Sequence, residues 1–319
     1  MHWQPSASFE TLRLRARVLK KVRDFFTARD VLEVETPSLS RAGTTDPALT
    51  SLHTTVGGLG ETRFYLHTSP EFAMKRLVSA GSGDIYQICR VYRDGEVGRW
   101  HEPEFTLLEW YRVGWDERAL MDEVGELCEA CLGPQLISET PLRLSYDEAF
   151  VQHLGVDAQS DADTLAGVLD SHAIEIPDTI DRRGLLDLAL GTAIVPALPQ
   201  NRLIYIYDFP ADQASLARLK DSDPPVAARF EVFINGIELA NGFAELTDAR
   251  EQRARFEAER AEQARLGRTA PPTDEALLAA LAHGLPECAG VAVGVDRLVA
   301  IAAGLDGIGA AISFAHERG

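Results

Sequence analysis

Residues 90–111 read RVYRDGEVGRWHEPEFTLLEWY. Two segments of strand-like alternation flank a polar turn, a pattern that predicts a β-hairpin. Side chains alternate along a strand, so Phe105, Leu107, Glu109 and Tyr111 share one face of the return strand. Thr106, Leu108 and Trp110 share the other, and Arg93 on the incoming side follows Cys89 and Val91. A face carrying Phe, Glu and Tyr beside an arginine can stack a planar base on Phe105 and grip a phosphate through Arg93. The planar guanidinium suits that task better than a lysine ammonium. An amphipathic surface hairpin laced with weak ion pairs explains the same residues.

The rest of the chain supplies the setting. Residues 11–29 place Leu12, Val18, Leu19, Val22, Phe25 and Phe26 on one helical face. VLEVETP reads as a half-buried strand stopped by Pro37, and RAGTTDPALTSLHTTVGGLGE as loop or hairpin. TRFYLHTSP predicts a short strand and PEFAMKRLVSAG a helix. Residues 116–200 are mostly helical, and RLIYIYDFP is a buried strand. RFEVFI and IELA around Asn235-Gly236 form the clearest hairpin, because Asn-Gly suits a type I′ turn. Asp248 and Glu251 predict a capping box opening a polar helix. GVAVGVDRLVAIAAGL predicts a strand running into an apolar helix. Hairpins mixed with helices predict an α+β fold, an antiparallel sheet flanked by helices, rather than βαβ units.

Composition narrows the function classes. The chain has 319 residues, 45% of them hydrophobic, enough for a sizeable core. Its net charge of −18 argues against non-specific nucleic-acid binding, which depends on Lys and Arg neutralising phosphates. No apolar signal core and no apolar run of about 18 residues occurs, so we expect a cytoplasmic protein off the membrane. Cys128 and Cys131 form a CxxC without a second pair or a nearby histidine, which predicts buried free thiols rather than a zinc site. Neither a GxxxxGK[ST] loop nor a strand-coupled GxGxxG is present.

Two further features bear on a polyphosphate. Arg297 falls in the first turn of the last apolar helix, just after Gly294. A cation there opposes the helix dipole, unless an anion sits at that terminus between Arg297 and the amides; a helix-end salt bridge is the plainer reading. Glu238 and Glu245 flank LANGFA at an odd spacing, and a bulge at Gly242 would bring both to one face. Two convergent carboxylates with phosphates are a common Mg²⁺ arrangement, although each alone is more often solvated.

Together these motifs resemble the class II aminoacyl-tRNA synthetases, and within them the lysyl branch. Pro37 after the long helix is similar to the end of the family's first motif, YRDGE with HEPEF to its second, and GVAVGVDR to its third. HTSPEFAMKRLV, YQICRVYRD, PEFTLLEWYR and RFEVFINGIELANGFAELTDAREQ resemble most closely the free-standing paralogues of that branch. The resemblance implies activation of lysine or (R)-β-lysine with ATP and Mg²⁺, transfer of the aminoacyl group to a lysine of elongation factor P, and a homodimer. It implies that Arg93 and Arg297 are catalytic, holding the α- and γ-phosphates, with Phe105 on adenine and His101 near the β/γ end. Asp94, Gly95, Glu102, Leu239 and Gly294 complete the nucleotide site, and Glu238 and Glu245 match the magnesium-linked pair. Ser69, Pro70, Glu71, Glu109, Tyr111, Asn241, Glu245 and Ala292 line the amino-acid pocket. Ala292 stands where the tRNA-charging lysyl enzymes have glycine, which suits a displaced amino group.

Two positions depart from the pattern. The glutamate expected after Arg93-Asp94 is Gly95, with Glu96 one place later, and the asparagine expected after His101 is Glu102. Either the loop shifts by one residue or adenine is read by backbone. We expect a single domain over residues 1–319 with a mostly helical insertion around 116–200 and no anticodon-binding domain, since the first helix begins near residue 11 and the chain ends just past the third motif. A truncated lysyl-type ligase acting on tRNA or a small molecule, and a non-catalytic paralogue that binds a partner, are the alternatives.

Overall fold

A computed structural model describes residues 3–178 and 180–318. Helix α1 (Phe9–Thr27) starts where the Ser8 hydroxyl accepts the Thr11 amide, and it buries Val18, Val22, Phe25 and Phe26. Four short strands follow: β1 (Leu32–Glu33), β2 (Leu39–Ser40), β3 (His53–Thr55) and β4 (Arg63–Leu66). Helix α2 (Glu71–Ser79) leads into the opening hairpin, β5 (Ile85–Tyr92) and β6 (Glu104–Val113). The segment after it holds α3 (Glu117–Leu132), β7 (Leu142–Ser145), α4 (Tyr146–Leu154), α5 (Ala162–Ser171) and α6 (Arg182–Ala189). A π-helical turn joins α6 to the one-turn α7 (Val195–Ala197). Then come β8 (Ile204–Pro210), β9 (Val226–Ile234), β10 (Ile237–Ala244), α8 (Ala249–Arg265), α9 (Glu275–Gly284), β11 (Cys288–Gly294) and α10 (Val295–Ala303).

Eight strands form one sheet in the order β1-β5-β6-β11-β10-β9-β8-β7. Every pairing from β5 through β8 is antiparallel, and the edge pairs β1–β5 and β7–β8 are parallel. The fold is therefore α+β, with the antiparallel core that the hairpins predict. Strands β2, β4 and β3 make a separate small sheet.

Alternation on the central strands separates core from site. Leu108 and Trp110 of β6, Phe230 and Val232 of β9, Ala240 of β10 and Val291 and Val293 of β11 belong to one apolar cluster with residues of α1, α3 and α10. Burying a large apolar side chain stabilises by about 1.5–3 kcal/mol, so this layer holds the strands in register. The opposite face of β6, β10 and β11 opens into a cavity. Beneath β6, the buried Glu123 carboxylate accepts from Trp110 Nε1 at 2.9 Å and from Arg112 Nη2 at 2.5 Å.

The β9–β10 turn is left-handed at both central residues, φ 52° at Asn235 and 75° at Gly236, as a type I′ turn requires. Three local expectations need correction. The bulge in β10 falls between Glu238 and Ala240, not at Gly242. Gly242 is instead a close-approach position, where a Cβ would lie 2.7 Å from Phe230 Cζ and from Val291 Cβ. Only half of the capping box forms: the Asp248 carboxylate accepts the amides of Arg250 and Glu251, while the Glu251 carboxylate accepts from Arg255. The strand expected at VLEVETP reduces to two edge residues with Leu32 exposed, because Leu32 and Glu33 pair with β5 alone. Cys128 and Cys131 are buried free thiols. No helix among the described residues is long and apolar enough to cross a membrane.

Candidate active site

Four neighbouring strands build the cavity floor in rows. Glu109 of β6 stands opposite Ala292 of β11, which stands opposite Asn241 of β10, which stands opposite Glu231 of β9. The next row runs Tyr111, Gly290, Phe243 and Arg229. The bulge at Leu239 changes the side-chain parity of β10, so Glu238 faces the same cavity as Asn241 and Glu245 despite the odd spacing. The cavity measures about 460 Å³. All the sequence-derived site residues border it except Asp94 and Gly95.

One end is cationic. Arg93 leaves the end of β5, its Nε donating to Thr68 O at 3.3 Å, and its guanidinium carbon lies 5.0 Å from the Phe105 ring centroid. Arg297 enters from the first turn of α10. Its Nη1 donates to Glu238 O at 2.8 Å, its Nε to Trp100 O at 3.2 Å, and its Nη2 meets His101 Nε2 at 3.0 Å. Burial and then the neighbouring Arg297 lower the His101 pKa, so the imidazole stays neutral and accepts from the guanidinium. Arg93 and Arg297, about two hundred residues apart in sequence, thus face one cavity together with the Gly294 N-terminus of α10.

The two departures lie on either side of the cavity mouth's β5–β6 turn. Gly95 has φ 80°, a left-handed turn that carries Asp94 and Gly95 away from the cavity, and the Asp94 amide donates to Thr50 O. Glu96 then faces inward, with Oε1 3.4 Å from Arg93 Nη1. Of the residues in this loop, Glu96 borders the cavity and the expected Asp94 and Gly95 do not. Glu102 borders the cavity, yet its Oε2 accepts both the His316 amide and His316 Nδ1 at 2.9 Å. That carboxylate is tied to the C-terminal segment.

The other end is acidic. The Ser69 hydroxyl accepts the Glu71 amide at the start of α2 and donates to Glu109 Oε2 at 2.7 Å. The Tyr111 hydroxyl donates to Glu109 Oε1 at 2.8 Å. Glu109 is 2% exposed, and burial pushes its carboxyl up to about 7, with Glu71 adding to the rise. Burial also pushes Glu245 up, against the opposing pull of Lys75. Lys75, 1% exposed, donates to Glu71 Oε1 at 2.6 Å and sits 2.5 Å from Glu245 Oε2. Burial disfavours its charge, but Glu245 and Glu71 outweigh that and raise its pKa, so it is an ammonium. Three carboxylates thus lie beside one resident cation, which touches two of them, Glu71 and Glu245. Ammonium groups of a substrate are the natural complement.

Several residues in or just behind the cavity wall escape a sequence reading. Lys75 reads as an ordinary helix-surface lysine, although its position four residues after Glu71 is a signal for that pair. Glu259 accepts from the Thr45 hydroxyl, and burial pushes its carboxyl up to about 7. Arg229 bridges Glu231 at 2.7 Å and Asn241 at 3.3 Å. Tertiary packing alone brings these two to the cavity. Among the described residues no three His, Cys, Asp or Glu side chains converge as metal ligands.

A family model described as tRNA synthetases class II (D, K and N) matches residues 1–318. The chain belongs to the class II tRNA synthetase family. Curated relatives from Vibrio cholerae serotype O1 and Edwardsiella ictaluri are each 46% identical over 323 residues, and one from Klebsiella pneumoniae strain 342 is 47% identical over 323 residues. Each match spans 99% of this chain and 98% of the relative, and each relative is named elongation factor P–(R)-β-lysine ligase. In this class II synthetase-family chain the cationic and acidic ends share one sheet face, with the small Ala292 between Glu109 and Asn241.

Proposed function

We propose that this protein activates a lysine-type amino acid, (R)-β-lysine, as its adenylate and transfers it to the ε-amine of a lysine in elongation factor P. One observation carries the reading: two guanidinium groups from distant segments and a carboxylate-rich pocket occupy opposite ends of a single cavity. The names of the full-length relatives support the amino acid and the acceptor.

Arg93 and Arg297 hold the triphosphate of ATP. A carboxylate oxygen of the amino acid attacks the α-phosphorus, and the bond to the β-phosphate oxygen breaks, releasing pyrophosphate. The acceptor amine, having lost a proton, then attacks the carbonyl carbon, and the C–O bond to phosphate breaks, releasing AMP. Glu109 and Glu245 orient the substrate ammonium groups, with Glu71 held by Lys75 beside them. Catalysis is positioning and charge stabilisation, and the guanidinium groups meet the charge that spreads over the phosphate oxygens.

The magnesium-linked pair divides in its fit. Glu238 is half-exposed beside Arg297, so it would hold Mg²⁺ together with phosphate oxygens, where the ion neutralises phosphate charge. Glu245 already faces the Lys75 ammonium and belongs with the amino acid. A homodimer belongs to the same proposal, supported by exposed Leu32 and Leu39 on either side of Pro37, and light scattering tests it.

ATP–pyrophosphate exchange with lysine and (R)-β-lysine, followed by intact mass of elongation factor P, tests the function. Exchange and a mass gain of one lysine residue are expected. Absence of exchange with every cationic amino acid refutes it. Charging of bulk tRNA in place of elongation factor P moves the acceptor to nucleic acid, and binding of elongation factor P without exchange makes the protein a non-catalytic partner.

A further inference from the structure

The acidic pocket contains a buried amine that the proposed reaction does not use. Lys75 lies on α2 with its ammonium between two carboxylates and 5.5 Å from the Phe243 ring centroid. Lys75 Nζ is aligned to donate to Glu71 Oε1. Glu245 Oε2 is equally near, so the ammonium is shared between the two carboxylates, while the fully buried Glu245 Oε1 has no hydrogen-bond donor. Room for that carboxylate exists because residue 290 is glycine: a Cβ there would strike Glu245 Oε1 and come within 2.5 Å of Tyr111 Cε1. A buried carboxylate oxygen without a donor costs free energy until a ligand supplies one. Glu109 is different again, since both of its oxygens accept hydroxyl donors but meet no cation.

We propose that Lys75 is a specificity-positioning residue: shared between Glu71 and Glu245, it offsets one of the three carboxylate charges, so that the pocket presents a surplus of two and selects amino acids with two ammonium groups over those with one. The count is direct. With a diamino acid bound, its ammonium groups hold the carboxylates ionised: three of them against one resident ammonium leave two negative charges, and a diamino acid whose own carboxylate lies toward Arg93 brings two positive ones. A mono-amine leaves one carboxylate buried and unpaired, which is the stronger form of discrimination. Without Lys75 the surplus becomes three, and no diamino acid matches it. Without both Lys75 and Glu71 it returns to two.

This rests on the activation of a lysine-type amino acid proposed above, and the experiment separates the two. Pyrophosphate exchange is measured for the wild type, Lys75→Met, Glu71→Gln and the double variant, with lysine, norleucine and 6-aminohexanoate. The wild type should prefer lysine to either mono-amine by on the order of 100-fold or more. Lys75→Met should raise the lysine KM by about tenfold or more, leave the ATP KM in place and lower the preference for lysine. Adding Glu71→Gln to it should recover most of that loss, a non-additivity that a purely structural lysine does not produce. A wild type that activates no lysine isomer sinks the functional reading. A wild type that prefers lysine, with Lys75→Met unchanged or with additive losses in the double variant, overturns the role of Lys75. Thermal melts accompany each variant. Should Lys75→Met fail to fold, a folded, lysine-preferring double variant supports the charge count, and a double variant that is unfolded or indifferent to lysine overturns it.

Discussion

Replacing Glu109 with glutamine removes one negative charge from the amino-acid pocket while keeping its shape. Ser69 and Tyr111 now donate to the two carboxylate oxygens at 2.7 and 2.8 Å, and their hydroxyls can rotate to meet an amide. The site is 2% exposed, so water does little to screen the change. Loss of one partner from a buried, hydrogen-bonded charge pair costs about 2–4 kcal/mol. At ~1.4 kcal/mol per tenfold, the amino-acid KM in pyrophosphate exchange should rise by about 30- to 1,000-fold. The ATP KM should hold, because Arg93 and Arg297 lie at the other end of the cavity. The pH profile provides a second reading. The ionised carboxylate binds the cation, and the Glu109 carboxyl is pushed up to about 7, so binding is intact above that value and lost as pH falls through it. Wild-type kcat/KM for the amino acid should fall about tenfold from pH 8 to pH 6 through this group. Glu109→Gln should lack that component. Equal increases in both KM values, or an acid limb that survives unchanged, would contradict the role given to Glu109.

Three further outcomes follow from the same geometry. Arg93→Ala should reduce pyrophosphate exchange by about 100- to 1,000-fold, since it removes a donor aimed at charge that develops during the reaction, and near-wild-type exchange would disprove its placement. Gly290→Ala should weaken amino-acid binding by about 1–3 kcal/mol, because the new methyl group meets Glu245 Oε1 and Tyr111; calorimetric titration with lysine reads it directly. Glu123→Ala should cost about 3 kcal/mol of stability by leaving Arg112 to Asp84 alone and orphaning Trp110 Nε1, seen as a lower urea midpoint at unchanged slope.

Much of the site was legible because it lies on regular strands. Alternation along β6 separates Glu109 and Tyr111 from Leu108 and Trp110, and the structure keeps that division between cavity and core. The Asn235-Gly236 turn sets the β9–β10 register by local chemistry alone. The failures share a cause. The bulge at Leu239, the inward swing of Glu96 and the burial of Lys75 are each decided by what packs alongside, which a single segment does not encode. Strand β7 carries only two apolar residues, Leu142 and Leu144, and forms because β8 offers an edge to pair with. Glu102 borders the cavity as expected, but its tie to His316, over two hundred positions later, is not encoded locally.

Strand β6 also acts as a gauge. Phe105 and Glu109 stand four residues apart on one face, and a strand advances ~3.4 Å per residue, so the two are separated by about 14 Å. Both β5 and β11 clamp that strand along its length, leaving no freedom to slide. Exchanging side chains can alter which group is welcomed at either mark, but not the distance between the marks. A substrate markedly longer or shorter in reach would call for residues inserted in pairs, each pair adding roughly 7 Å while keeping the same face inward.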